Sequence, residues 1–212
     1  EMGAHPWEFA RALALWLGGP DPADANGTYS ASAYKAVCEA FGPADGHKQY
    51  TTIFVDSITV ASRMCFEWCQ TQPDAFSEKT GKPDVRGAYG LLGREMVRWL
   101  THLQHTDKTV IVVGILNEEL DDLKRKTYVP QIEGSATALK LPGIFDEVVT
   151  LTTMMDDQNV PHRTFVCHQM NPWQLPAKDR SGTLELNEAP DLGALLKKIR
   201  AGKRIDAVST SK

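Results

Sequence analysis

The sequence predicts an α/β fold built on a mainly parallel sheet, and three segments carry that expectation. Ile53-Phe54-Val55 is a continuous apolar run that stops abruptly at Asp56-Ser57, as expected of a parallel strand covered on both faces. Thr109-Val-Ile-Val-Val-Gly-Ile-Leu116 is a second such run. Between them lies Ala88–His105, where Tyr89, Leu92, Met96, Trp99, Leu100 and Leu103 form one helical stripe. Strand, helix and strand in that order make a βαβ crossover, with parallel strands and a right-handed connection.

The other elements follow in order. His5 to Leu17 reads as a helix: Pro6 suits the first turn, and Trp7, Ala10, Leu13 or Ala14, and Leu17 recur at helical spacing. Gly18-Gly19-Pro20 stops it. Ser30 caps a second helix that ends at Phe41 before Gly42-Pro43, with Tyr34, Val37, Cys38 and Phe41 on its apolar face. Ile58 to Gln70 is a third helix. Residues 71–87 and Asn117 to Gly134 are long polar stretches, and loops of that length are commonly functional. Ala136–Leu141 predicts a short helix, Asp146–Leu151 and Arg163–His168 two strands, and Leu192–Arg200 a last helix before a polar tail. Residues 1–190 are expected to form one core, with residues 191–212 as a C-terminal helix and tail.

A net charge of −4 over 212 residues argues against binding duplex DNA by bulk charge and leaves only local basic segments for that role. No apolar run reaches bilayer length, and the start has no signal-peptide pattern. Cys38, Cys65, Cys69 and Cys167 lack C-x-x-C spacing. Cys65 and Cys69 with His168 could be read as metal ligands, but small buried hydrophobes in a reducing cytoplasm are the better account. The histidines have no ligand spacing, and no G-x-S-x-G, paired-carboxylate or Cys/His pattern supports hydrolase chemistry.

Asp56 carries the functional expectation. Ligands of open α/β sheets sit beyond the carboxyl ends of the strands. A carboxylate there holds Mg²⁺, directly or through water, beside a nucleotide's phosphates. Its competing role is to cap the helix that follows. Ser57 either orients metal-bound water and phosphates or sits in that helix's first turn. The phosphate loop G-x-x-x-x-G-K-[ST] is found nowhere in the 212 residues. The chain begins at Glu1 rather than an initiator Met, so a partial reading frame is expected, with the N-terminal strand and phosphate loop missing from it.

Several motifs in order carry a resemblance: Ile-Phe-Val-Asp56-Ser57, a long loop, the 88–105 helix, Val-Ile-Val-Val-Gly-Ile-Leu116, and Gln131-Ile-Glu-Gly134-Ser-Ala-Thr-Ala-Leu139-Lys140. Leu141-Pro-Gly-Ile-Phe-Asp146-Glu147-Val148 and Pro176-Ala-Lys178-Asp-Arg180-Ser-Gly182 extend it. Together they resemble the RecA-like ATPase core, and more closely the AAA-type ATP-binding proteins of phages and prophages related to single-strand-annealing recombinases. The likeness spans roughly residues 5–200 and rests on order and spacing.

That resemblance implies a RecA-like three-layer sandwich, ATP and Mg²⁺ as cofactors, and self-association into a ring or filament. It further implies action on single-stranded DNA in phage recombination, annealing or repair, in the cytoplasm of a bacterial host. Lys178 and Arg180 resemble the hairpin with which ring helicases reach a neighbour's ATP, which implies a catalytic role in trans. Lys124, Arg125, Lys126 and Tyr128 make a compact basic run with one aromatic ring and are the expected DNA contacts, offset by Glu118, Glu119, Asp121 and Asp122. Lys79, Lys82 and Arg86 are a second, more dispersed basic set. The chain departs from the RecA pattern at Leu116, where a polar sensor is expected, and at Glu8 and Glu39, which fall in helices and supply no catalytic glutamate. Hydrolysis therefore depends on a phosphate loop outside these residues. Two other functions remain open: a non-catalytic ATPase-like scaffold, and a nucleotide-gated helicase-loader or packaging factor.

Overall fold

Pro6 opens α1 (Pro6–Gly18) just after His5, whose Nδ1 accepts the Trp7 N–H at 3.1 Å. The computed structural model describes residues 5–120 and 123–202, so Asp121, Asp122 and the polar tail from residue 203 onward lie outside the described residues. The chain divides into two units. The first comprises the residues up to Leu116 together with Pro130–Ile144; the second comprises Asn117–Val129 and the residues from Phe145 onward.

In the first unit, Ser30 caps α2 (Ala31–Phe41) through its side chain and Gly42, at φ 94°, ends it. β1 (Thr52–Asp56) leads into α3 (Ile58–Cys69). α4 (Val85–Gln104) begins three residues earlier than its apolar stripe predicts, because Asp84 accepts the Arg86 N–H at 3.0 Å and caps it. β2 (Thr109–Val113) follows, and single-turn helices α5 (Ser135–Ala138) and α6 (Leu141–Ile144) complete the unit.

α1, α3 and α4 pack on one another through Trp7, Leu15, Cys65, Trp68, Leu92, Met96, Trp99 and Leu100, all buried. Each such large apolar side chain contributes on the order of 1.5–3 kcal/mol. Indole N–H groups entering this core need acceptors, and each has one. Trp7 donates to Glu95 (3.1 Å), Trp68 to Glu8 (3.2 Å) and Trp99 to the Ala10 carbonyl (3.2 Å). Arg11 pairs with Glu95 at 3.1 Å and lies 4.2 Å over the Trp68 ring. Glu8 thus serves the core.

β1 and β2 are parallel, in register from Thr52↔Thr109 to Asp56↔Val113. The expected mainly parallel sheet is narrower than predicted: among the described residues, parallel pairing joins only these two strands. The expectation that β1 is covered on both faces is not met, because Ile53 and Val55 are half-buried while Phe54 is 55% exposed. β1 thus has one half-covered face and one open face, while β2 is half-buried on both faces from Thr109 to Val112.

The second unit is built differently. The polar stretch after Leu116, expected as a loop, forms β3 (Leu116–Leu120) and β4 (Lys126–Pro130), which pair with each other. β5 (Glu147–Val148) is followed by β6 (Thr150–Met155) and β7 (Pro161–Val166), which pair antiparallel from Thr150↔Val166 to Met155↔Pro161. Their turn is tightened by Asp156, whose Oδ1 accepts the N–H groups of Gln158 and Val160, each at 2.8 Å. A connection that short admits only antiparallel strands, which is why this part of the chain departs from the parallel expectation.

β8 (Lys178–Asp179) pairs antiparallel with β5, and β9 (Asn187–Glu188) with β7. α7 (Leu192–Ala201), capped by Asp191, places Leu195 in a core with Phe165, Cys167 and Leu184. All four cysteines are free. The Sγ atoms of Cys65 and Cys69 are 3.9 Å apart, and burial pushes the Cys65 thiol up, with Cys69 adding to the shift. These are the traits of apolar packing residues. No described helix is long and apolar enough to cross a membrane.

Candidate functional site

β1 ends in an acid and a hydroxyl, and either could cap α3. The structure gives the cap to Ser57: its Oγ accepts the Val60 N–H at 3.4 Å and its carbonyl accepts the Ala61 N–H at 3.0 Å. Asp56 stays exposed at the carboxyl end of β1, beside Val113 of β2. The peptide joining Asp56 to Ser57 is cis. Among the described residues no hydrogen bond or ion pair reaches the Asp56 carboxylate. The result is a lone carboxylate facing solvent from the end of a parallel strand.

Two residues the sequence reading passed over organise the surroundings. Thr59, on the first turn of α3, accepts the Ile115 N–H at 3.5 Å. Ser62, one turn on, donates to the Thr59 carbonyl at 2.9 Å and accepts the Glu133 N–H at 3.2 Å. The Gln131 N–H donates to the Ile115 carbonyl at 2.7 Å. These bonds bring the segment after β2 and the Gln131–Glu133 segment beside the start of α3. Gly114 is packed too closely for a side chain, since a Cβ there would lie 2.9 Å from Ile58 Cγ2. β2 ends at Val113, so Leu116, expected at the sensor position, instead begins β3. The only sequence signal for this arrangement is a pair of small hydroxyl residues on the first turns of α3.

Lys178 and Arg180 lie in the second unit on a turn held from two sides. Glu147 accepts the N–H groups of Arg180 (2.9 Å) and Ser181 (3.0 Å). Asp179 accepts the Ser181 hydroxyl (2.6 Å) and the N–H groups of Gly182 and Leu184 (each 2.9 Å), and Gly182 takes a φ of 66°. Asp179 therefore builds the turn. The partner of Arg180 is Asp146, at 2.7 Å, with both side chains about 70% exposed. Lys178 is half-buried, and its Nζ donates to the Phe145 carbonyl at 2.7 Å.

The β3–β4 hairpin carries Lys124, Arg125, Lys126 and Tyr128. Lys124 sits near its tip at a φ of 59°. Lys126 pairs with Glu118 at 2.8 Å, and that hydrogen bond and charge raise its pKa. Tyr128 is half-buried. The candidate residues thus form three groups: Asp56 with Ser57 in the first unit, and two separate basic turns in the second.

A carboxylate beyond the carboxyl end of a parallel strand stands where open α/β sheets bind their ligands. A family model described as an AAA domain matches residues 9–181, and the chain belongs to that family of AAA-type, P-loop NTPase-like domains. Membership implies a nucleotide-binding, ATPase-like function, generally with Mg²⁺. Among the curated proteins and solved structures compared with it, none matches this chain.

Proposed function

We propose that the chain is the metal-facing and partner-facing part of an ATP-binding protein that acts on single-stranded DNA in recombination, annealing or repair. The observation carrying this reading is the division of labour at the end of β1: Ser57 caps α3, so Asp56 is left exposed and unpaired. Magnesium is commonly held by one or two carboxylates, with water and phosphate oxygens completing its shell. Asp56 fits that donor set. No group of three or more His, Cys, Asp and Glu among the described residues offers an all-protein cage instead. When bound, Mg²⁺ offsets negative charge on the phosphates. Asp56 would hold the metal, directly or through water, and Ser57 fixes the start of α3.

Arg180 and Lys178 are assigned to a neighbouring subunit's phosphates. An exposed ion pair such as Arg180–Asp146 is worth at most about 1 kcal/mol, so the guanidinium can leave it at little cost. The β3–β4 hairpin, with Lys124, Arg125, Lys126 and Tyr128, is assigned to DNA.

The test uses the protein produced from the reading frame that encodes these residues. Binding of a fluorescent ATP analogue is titrated with Mg²⁺ in the wild type and in Asp56→Ala. The expected result is loss of the Mg²⁺-dependent part of the affinity, about tenfold or more, with unchanged circular dichroism. Equal binding by the two proteins would instead favour the scaffold function. Nucleotide binding without retention on single-stranded DNA would favour the loader or packaging function.

A further inference from the structure

We propose that a groove of about 580 Å³ along α4, within the first unit, is a binding track for a single-stranded nucleic acid. Gly90, Gly93 and Val97 are among the residues that line it. Tyr89, stacked on Phe66 at 4.4 Å and 39% exposed, presents an open ring to it, while Tyr29 and His102, stacked at 4.0 Å, are buried in its wall. The cations are Arg94 and Arg98 on α4, with Lys140 beyond α5; Asp21 lines the groove as well. Arg94 and Arg98 are one helical turn apart, about 6 Å along the axis. A row of positive groups beside an open aromatic face is an arrangement that holds a single strand: the cations follow the backbone and the Tyr89 ring receives a base.

Both arginines already hold carboxylates, which shows that they present their guanidiniums to anions. Arg94 pairs with Asp74 at 2.6 Å and Arg98 pairs with Asp24. In the Arg94–Asp74 pair both side chains are at least half exposed, at 63% and 50%, so that pair is weak and exchanges readily for phosphate; Arg98 is 43% exposed but Asp24 only 14%, so that pair is held more firmly. Gly90 supports the same conclusion. A Cβ at that position would meet nothing closer than Arg94 Nη1, at 3.8 Å, so packing does not require glycine there. Glycine within a helix costs about 1 kcal/mol relative to alanine, and here it leaves the groove lining without a side chain at that position. A duplex would need a broad basic surface, which a narrow groove on a chain of net charge −4 does not provide.

This inference rests on the nucleic-acid part of the proposed function and is independent of nucleotide binding at Asp56. The test is fluorescence anisotropy with a labelled oligothymidylate over a salt series, comparing wild type with the Arg94→Gln, Arg98→Gln, Lys140→Gln triple variant. The expected result is affinity at least about tenfold lower and a log–log salt slope shallower by about 2, for three lost phosphate contacts. A triple variant with wild-type affinity and slope overturns the groove alone. A wild type that binds no oligonucleotide overturns the nucleic-acid function as well. Displacement by a phosphopeptide or a duplex as effective as by unlabelled strand overturns the single-strand assignment.

Arg98 also lies over the Tyr29 ring, so the triple variant is paired with a measurement on the wild type. A 4-thiothymidine oligonucleotide is photo-crosslinked and the attached peptides are mapped. Crosslinks within residues 86–105 support the track, and their absence there overturns it.

Discussion

At the residue scale, the end of β1 separates two roles that are hard to tell apart in sequence. Asp and Ser are both strong helix caps, so Asp56-Ser57 alone does not say which side chain is committed to α3. The Ser57–Val60 bond decides it. Ser57→Ala is expected to cost about 1 kcal/mol of stability, read as a lower urea midpoint. Asp56→Ala should leave the midpoint unchanged, because no described group depends on its carboxylate. A destabilised Asp56→Ala with a normal Ser57→Ala would return the cap to Asp56 and remove the basis of the metal assignment. Glu95 presents the opposite case. It accepts from both the Trp7 indole and Arg11 inside the helical core, so Glu95→Ala strands two donors and is expected to destabilise by about 3 kcal/mol or more, measured in the same titration. Asp56 was legible because a strand-end acid interrupts an apolar run. Glu95 was not, because an acid on a long helix looks like any solvated residue until the tryptophans on α1 are placed.

At the element scale, the turn that presents Lys178 and Arg180 is supported by carboxylates and should respond to acid. Burial disfavours the charged form of Asp179, but hydrogen bonds from Ser181, Leu184 and Gly182 outweigh it and hold the carboxyl below the usual range. A carboxyl with a lower pKa in the folded chain binds fewer protons there than in the unfolded one. Its contribution is therefore complete above about pH 4 and is lost as pH falls through the depressed value. Glu147 runs the other way: burial, and then the Asp179 charge, push it up against its two backbone N–H donors. Its contribution is largest below about pH 4 and fades as pH rises through the raised value. The Gly182 and Leu184 amides, which bond only to Asp179, isolate the first effect. Their hydrogen-exchange protection should fall on acidification below about pH 4 and be low at all pH in Asp179→Ala. Acid-insensitive protection would mean that the backbone alone sets the turn. The K-x-R turn was visible in sequence as a Gly-punctuated basic pair, but its support by Glu147, far back in the chain, needed the β5–β8 pairing. β3 and β4 were missed because Leu116-Asn-Glu-Glu-Leu120 has apolar residues only at its ends and Lys126-Thr-Tyr-Val-Pro130 bunches its own together, which leaves no alternating apolar period to read.

At the scale of the whole molecule, the parallel pair and its helices followed the sequence pattern, while the second unit's antiparallel strands depended on turns whose geometry lies in side-chain bonds such as those of Asp156. The proposed catalytic groups fall in both units, Asp56 in one and Arg180 in the other, so whether they serve one nucleotide within a chain or between chains is a question about assembly. In a head-to-tail assembly each interface takes one partner's Asp56 and the other's Arg180. Asp56→Ala and Arg180→Ala are each expected to be inactive as ATPases, since a finger arginine is worth about 10³–10⁵ in rate. Mixed in equal amounts and allowed to exchange subunits, they create interfaces in which an intact Asp56 meets an intact Arg180, roughly one in four at random. ATP turnover by the mixture, measured in the protein encoded by the whole reading frame, should then recover to about a quarter of the wild-type rate. If both groups act within one chain, no arrangement of the two variants restores a complete site, and the mixture stays as inactive as its components.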